Sequence, residues 1–592
     1  MQDRQPLADD HHQPAAHLRS ALLVLLVLAI ALPAVPLVVF ESIGISTVDA
    51  PHHIHWLHGF YRGLSQGSII PGWSDETFAG FGAYPLMIYG RVGYYLMAPF
   101  VWLTQDAWSA FRFGIPVTFL LAAWLSYRTG RLFFDRNASL LVSICYVLGP
   151  YCIFVPYSQF SMTEHAAMVV SPWAVTRLVI LLRRPGAANL AWFALAYGLI
   201  AFSHLIAAFV LGGTLLAIAL AAPGSVSRAR SAGWTIAGVA GGLCLTAFYW
   251  PFIMLGAGTS DTIQNRYTEV FAQAHFAFGP GNWLIPDTAT PLCYLLAALL
   301  CVAVLTRSRL RGHRPAEHAR LWWALSVLIL LTVAFESPLS KPLWQRWDLL
   351  QQIQRPYRFH AALQLPVALL IVGTWVALRS RGPHRTISRP GTVTWVWAGV
   401  LAANVSLGPA IPWYLFLSGH KTIASVPAFS PTAADWPYVA PPTADVERVM
   451  TEQADTDWKL RGPGVSSVRV AHWQPEHRAI RFTTTGGPID VRTFHSDGWR
   501  LELDGQPVAV RAGEPYGQIR FDAPAGRHEA HLAFGWPLRC RIGAGVSLAA
   551  AAACLAVPVL QRRRRLRTAE PRLPQPHTAA HLQACPGPSA GL

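Results

Sequence analysis

The sequence predicts an α-helical polytopic membrane protein of about twelve transmembrane helices, with a small extracytoplasmic β-sandwich domain near the C-terminus. Three observations predict it. Of the 592 residues, 53% are hydrophobic and only 13% charged, where a soluble domain carries about a quarter charged residues. Apolar runs of about 20 residues recur along the chain, each long enough to cross a hydrocarbon core of about 30 Å. Beyond residue 465 the pattern changes to short alternating segments separated by turn residues.

The elements follow in order. A cytoplasmic tail over 1–19 precedes Ala21 to Phe40, a run too long and too poor in small cleavage-site residues for a secretory signal, and so a retained helix. Further helices are expected at 109–128, 138–156, 165–183, 189–203, 205–222, 234–254, 288–306, 320–336, 360–378, 393–416 and 541–560. Charge decides the shorter run at 88–104, because short loops rich in arginine stay in the cytoplasm. Arg128, Arg131 and Arg136, Arg183 and Arg184, Arg228 and Arg230, Arg307 to Arg314, Arg379 to Arg389, and Arg562 to Arg565 fall on one side only if 88–104 does not cross. That segment is then a re-entrant or interfacial helix, and both termini are cytoplasmic. The net charge of +16 is therefore mainly a topology signal. A basic inner face also suits anionic membrane lipids, and nucleic-acid binding is not expected. Domain boundaries follow: transmembrane domain 20–416 with its first outer loop at 41–88, linker 417–464, sandwich 465–538, last helix 541–560, and a disordered basic tail over 561–592.

This topology puts every large polar segment outside, where no nucleotide is available, so chemistry there needs an energised donor delivered through the membrane. Asp49 stands just after the first helix in Val48-Asp49-Ala50-Pro51-His52-His53-Ile54-His55-Trp56, at the start of a long polar loop. A carboxylate there can act as a general base; equally, it can cap a helix at the loop entry. The histidines at 52, 53, 55 and 58 match no metal-site spacing, although with Asp49 they could hold a divalent ion against a phosphate. No cofactor is required by the sequence. Trp73 and Tyr84 lie in the glycine-rich strings Pro71-Gly72-Trp73 and Gly80-Phe81-Gly82-Ala83-Tyr84-Pro85, where aromatic faces suit sugars or lipid head groups and equally form an interfacial belt. Arg355 and Arg358 flank Tyr357 and, three residues apart, can face one phosphate if the segment is helical. Glu164 opens a helix, as a second acid or as a charge matched to the helix N-terminus. His204 sits in an outer turn between two apolar runs, and Asp261 lies in a polar loop at 256–287 that could cover a site. The eight cysteines include no C-x-x-C pair.

The sandwich is predicted from alternation at 468–470, 479–482, 501–503, 508–510, 519–521 and 531–534, with turns at Gly486-Gly487-Pro488, Asp504-Gly505 and Pro524-Ala525-Gly526. Trp499 fits its core.

Four strings in order, Asp49 with His53, Pro71 to Pro85, Gln354-Arg355-Pro356-Tyr357-Arg358-Phe359, and Trp499 to Asp504-Gly505 followed by Gly526-Arg527-His528, resemble the glycosyltransferase C superfamily, specifically its YfhO-like and pyruvoyl-tetrahydropterin-synthase-related bacterial membrane proteins. The resemblance implies a GT-C-like helical core in the bacterial inner membrane with an active site facing the periplasm or exterior. It implies an inverting transfer of sugar from a polyprenyl-phosphate carrier to an envelope glycan, lipid or protein acceptor. Asp49 is then the base, with Glu164 as a second catalytic acid. Arg355 and Arg358 hold the phosphate, and His53, Trp73, Tyr84, His204 and Tyr357 line the substrate pocket. A lipid-linked glycan transporter is disfavoured by the lack of an inverted repeat and of charges along the apolar runs. A non-catalytic envelope-assembly protein would dispense with Asp49.

Overall fold

The computed structural model describes residues 13–40, 49–221, 227–250, 276–279, 284–311, 318–353, 355–379, 392–417, 440–453 and 456–568. Asp261, most of its loop, the linker prolines at 427, 431 and 437, and the tail beyond Thr568 lie outside these residues.

The apolar runs are helices. In chain order they are α1 Gln13–Val38, α2 Ala50–Ser65, α3 Val92–Thr104, α4 Ala107–Gly130, α5 Arg136–Val147, α6 Met162–Arg183, α7 Ala187–Ser203, α8 Leu205–Ala221, α9 Arg228–Leu245, α10 Thr290–Leu310, α11 Ala319–Glu336, α12 His360–Arg379, α13 Thr392–Leu417 and α14 Leu538–Thr568. Among the described residues, eight helices are long and apolar enough to cross a membrane, and a ninth span arises if α5 and the short helix after it count as one. The chain is therefore a multi-pass membrane protein. Adding the shorter helices α7 and α8, 17 residues each and about 25 Å of rise, at the lower limit for a span, brings the described residues to eleven of the twelve expected crossings. The 13 residues of α3 rise about 20 Å, short of a crossing.

Three expectations change. The expected helix 138–156 is bent by 46°, because Gly149 is extended (ψ 142°) and Pro150 cannot donate to the helix ladder. Half of the expected loop 41–88 is helical: Pro51 opens α2, and Ile54, Leu57 and Phe60 repeat at a spacing of three and are buried. The basic segment expected to be disordered from residue 561 continues α14 through Thr568.

The C-terminal domain is two antiparallel sheets. Its strands are β1 Leu460–Arg461, β2 Ser466–Trp473, β3 His477–Thr484, β4 Gly487–Phe494, β5 Trp499–Leu503, β6 Gln506–Val508, β7 Arg511–Gly513, β8 Gln518–Ala523 and β9 Gly526–Phe534. They pair in the orders β1-β4-β8-β7 and β2-β3-β9-β5-β6. Ile489, Val491, Ile519 and Phe521 of one sheet and Ile480, Phe482, Leu501 and Leu532 of the other are buried, and Phe482 meets Phe521 across them at 6.3 Å. Gly487 and Pro488, expected in a turn, begin β4, since Ile489 and Val491 carry their own alternation into the core.

Candidate active site

The helix directions bring one set of ends together. α6 and α12 begin there, α2 enters there, and α7 turns into α8 there. Asp49 is the N-cap residue of α2, yet its side chain makes no capping hydrogen bond, so the carboxyl is not used by its own helix. Burial pushes that carboxyl above the ordinary carboxylate value, against the opposing pull of Arg355 and Arg358. Glu164, in the first turn of α6, is within electrostatic reach of Arg358, Arg355 and Asp49. The two acids and two arginines, far apart in sequence, therefore form one charge cluster.

The arginines are presented by a 3₁₀ turn, Pro356–Phe359, with Arg355 as its N-cap; residues three apart eclipse in that geometry. Arg355 is 9% exposed and Tyr357 is 1% exposed, which rules out anchoring at the membrane surface. Arg355 Nη1 donates to the Tyr357 hydroxyl at 2.6 Å, and Arg358 Nη1 donates to the Ile353 carbonyl at 3.0 Å. Tyr357 thus acts by holding an arginine, and its ring packs on Tyr151 and Phe154.

His204 joins the cluster from the α7–α8 turn. Its Nδ1 accepts from the Ala207 amide at 3.1 Å, capping α8, while Arg358 and His53 act on it electrostatically. His53 Nδ1 lies 2.7 Å from the Tyr94 hydroxyl, with Trp56 and Tyr89 against its ring. His58 instead meets Glu76 at 2.8 Å, so the four histidines of α2 face different neighbours. Among the described residues no three His, Cys, Asp or Glu side chains are placed to hold a metal.

Trp73 and Tyr84 are elsewhere. Trp73 is fully enclosed, with ring centroids 5.3 Å from Trp499 and 5.0 Å from Phe534. Tyr84 donates to the Ala440 carbonyl at 3.3 Å. The same string is fixed to the sandwich by Gly72 N donating to Glu476 Oε1 at 2.6 Å and Phe494 N to the Phe81 carbonyl at 2.9 Å. Gly82 is needed here: its φ is +77°, and a Cβ would lie 2.3 Å from Trp73 Nε1. This segment packs against the outer domain, and the Trp73 ring is covered there by other aromatics.

Sequence reasoning missed several groups. The Tyr151 hydroxyl donates to Glu164 Oε1 at 2.6 Å. Glu164 Oε2, the Tyr157 hydroxyl, both amide atoms of Gln159 and the Thr163 hydroxyl are buried without a hydrogen-bond partner among the described residues. All follow the bend, Tyr157 and Gln159 on a π-helical turn at Val155–Gln159, a geometry frequent at functional sites, and Thr163 and Glu164 in the first turn of α6. The helix-breaking Gly149-Pro150 and Pro156 were its signal. Glu336 and His360, both buried, bond at 2.8 Å beneath Tyr151; Glu336 is the sole acid of α11, which was the available sign.

The sequence matches no family model, and no curated protein matches it. Solved structures similar to the chain include the arabinofuranosyltransferase AftD from Mycobacteria, at 16% identity and a TM-score of 0.42, covering 66% of this chain and 28% of that one. The archaeal oligosaccharyltransferase AglB from Archaeoglobus fulgidus, in complex with an inhibitory peptide and a dolichol-phosphate, matches at 14% identity and a TM-score of 0.39, over 70% of this chain and 60% of its own. The chain thus spans less than two thirds of either protein.

Proposed function

We propose that the chain is a glycosyltransferase of the C superfamily, taking a sugar from a polyprenyl-phosphate carrier to an envelope glycan, lipid or protein acceptor on the extracytoplasmic side of a bacterial inner membrane. The observation that carries this reading is the meeting of Asp49 and Glu164 with Arg355 and Arg358 at one end of the helix bundle. Buried charges in a membrane protein are costly and mark function.

Each group has a role its chemistry supports. Asp49, its carboxyl free of its own helix N-terminus and made more basic by burial, takes the proton of the acceptor hydroxyl. The acceptor oxygen then bonds to the anomeric carbon as the bond from that carbon to the phosphate oxygen breaks, inverting the centre. The electron pair leaves on the lipid phosphate, where Arg358 and Arg355 stabilise the developing charge. Glu164, with one oxygen held by Tyr151 and the other unpartnered, accepts a hydrogen bond from a sugar or acceptor hydroxyl. His204 and His53 border the pocket. A divalent ion is not part of this reading.

The experiment compares envelope glycans and accumulated polyprenyl-linked sugars by mass spectrometry in cells carrying the wild type, a deletion, or Asp49→Asn. Loss of the same modification in deletion and variant, with the variant protein still in the membrane, supports the transfer. A wild-type glycan profile from Asp49→Asn refutes Asp49 as the base and favours an assembly or transport role.

A further inference from the structure

At the end of the bundle opposite the acid–arginine cluster, two cavities adjoin. One, of about 850 Å³, is a groove between α1, α4, α5 and α6, walled by residues such as Leu26, Ile30, Leu120 and Trp124 and rimmed by Arg19, Arg128, Arg131 and Arg136. The other, of about 520 Å³, shares Arg131 and Leu132 with it and adds Arg183 and His318. From these features we infer that the paired cavities form a binding site for one anionic glycerophospholipid of the leaflet opposite the candidate active site. Its phosphodiester head group occupies the smaller cavity and an acyl chain occupies the groove.

Charge, shape and length agree. Among the described residues Asp135 is the sole acid lining either cavity, and its carboxylate accepts from the Ala138 amide at 2.8 Å as the cap of α5. The described residues lining the groove include Arg19, Arg128, Arg131 and Arg136 and no Asp or Glu. The guanidinium groups are also held in place. Arg131 Nη1 donates to the Phe134 carbonyl at 2.9 Å, Arg183 Nη2 to the Leu132 carbonyl at 2.9 Å, and Arg128 lies 6.0 Å from the Trp124 ring centre. Groove-lining residues run from Arg19 to Ile30 on α1 and from Arg131 back to Leu120 at the end of α4. At 1.5 Å per residue each wall is about 16 Å deep. That depth matches one leaflet, half of a hydrocarbon core of about 30 Å. A groove one leaflet deep with a basic mouth selects a chain of one leaflet carrying an anionic head, as basic pockets between transmembrane helices do.

Delipidated full-length protein in detergent is titrated with phosphatidylglycerol, phosphatidylcholine of the same chains, a polyprenyl phosphate, or inorganic phosphate, and retained lipid is read by native mass spectrometry. Phosphatidylglycerol is expected to bind at least tenfold more tightly than phosphatidylcholine. Arg131→Gln and Arg136→Gln should each weaken it by about fivefold, and Arg136→Lys should restore it. Val27→Trp, on the exposed groove wall, should weaken it with every charge intact, which separates groove occupancy from attraction to the surface. Gel filtration of each variant verifies the fold. Equal binding of the two phospholipids, or no effect of the arginine variants, overturns the inference. So does displacement of phosphatidylglycerol by lower concentrations of polyprenyl phosphate, which would assign the groove to a carrier lipid, or by inorganic phosphate, which would leave only a head-group site.

Discussion

Replacing Trp73 by alanine separates docking from substrate binding. Trp73 is 0% exposed, and its covering comes from Trp499, Phe534 and Tyr84. A buried Trp removes about 200 Å² from water, worth about 5 kcal/mol at about 25 cal/mol per Å². Truncations of buried Trp typically cost about 3–5 kcal/mol, so the two figures agree. The indole nitrogen has no hydrogen-bond partner among the described residues, so the loss is one of packing. If the sandwich is held by this contact, Trp73→Ala raises the population of its undocked state by about a hundredfold to a few thousandfold. Limited proteolysis of the purified protein reads that population directly when opening is fast relative to cleavage. Cleavage within 456–536 should accelerate in Trp73→Ala and far less in Trp73→Phe, which keeps a ring in the same contacts. Unchanged proteolysis together with a tenfold or greater rise in KM for the lipid-linked donor would refute the docking role and return Trp73 to the substrate pocket.

Asp49 must be ionised to accept a proton, and burial raises its folded pKa; the acid limb of the transfer rate should therefore lie at higher pH than for an ordinary carboxylate, as measured by a kcat profile. Arg358→Gln removes a charge that favours the ionised form of Asp49, so the limb should move further up and activity at pH 7 should fall, whereas an unmoved limb would exclude Asp49 as the titrating base. Glu476→Ala strips the acceptor from Gly72 N and Trp73 N and should destabilise the docked sandwich by about 1.5–3 kcal/mol, seen in the same proteolysis assay with donor KM unchanged. Gly82→Ala meets Trp73 Nε1 at 2.3 Å and should lower the yield of folded protein in the membrane, which fluorescence-detected gel filtration measures.

How much of this was legible in the sequence depends on the range over which each signal acts. The helices were legible because an apolar run determines its own state in a membrane, where every backbone group must bond within the segment. The acid–arginine cluster was legible for a related reason. Charges at the ends of apolar runs are few, and the topology that puts Arg128, Arg183 and Arg307 at one end leaves Asp49, Glu164, Arg355 and Arg358 at the other. The contacts of Trp73 with Trp499 and Phe534 and of Tyr84 with the Ala440 carbonyl were not legible, because a Gly-aromatic string has the same form whether its ring meets a sugar or another tryptophan. The partner that decides it, Glu476, lies 404 residues from Gly72, beyond any periodicity. Helix α2 was hidden by its four histidines, although the spacing of Ile54, Leu57 and Phe60 was there to find. Tyr151 and Gln159 were hidden by being ordinary residues in an ordinary run. The bend at Gly149-Pro150 carries Tyr151 to Glu164, and a bend redirects side chains without changing their identity. A sequence therefore exposes the groups whose burial is costly and conceals the neutral groups that orient them, so variants of Tyr151 and Gln159 are the more informative probes of how the pocket is shaped.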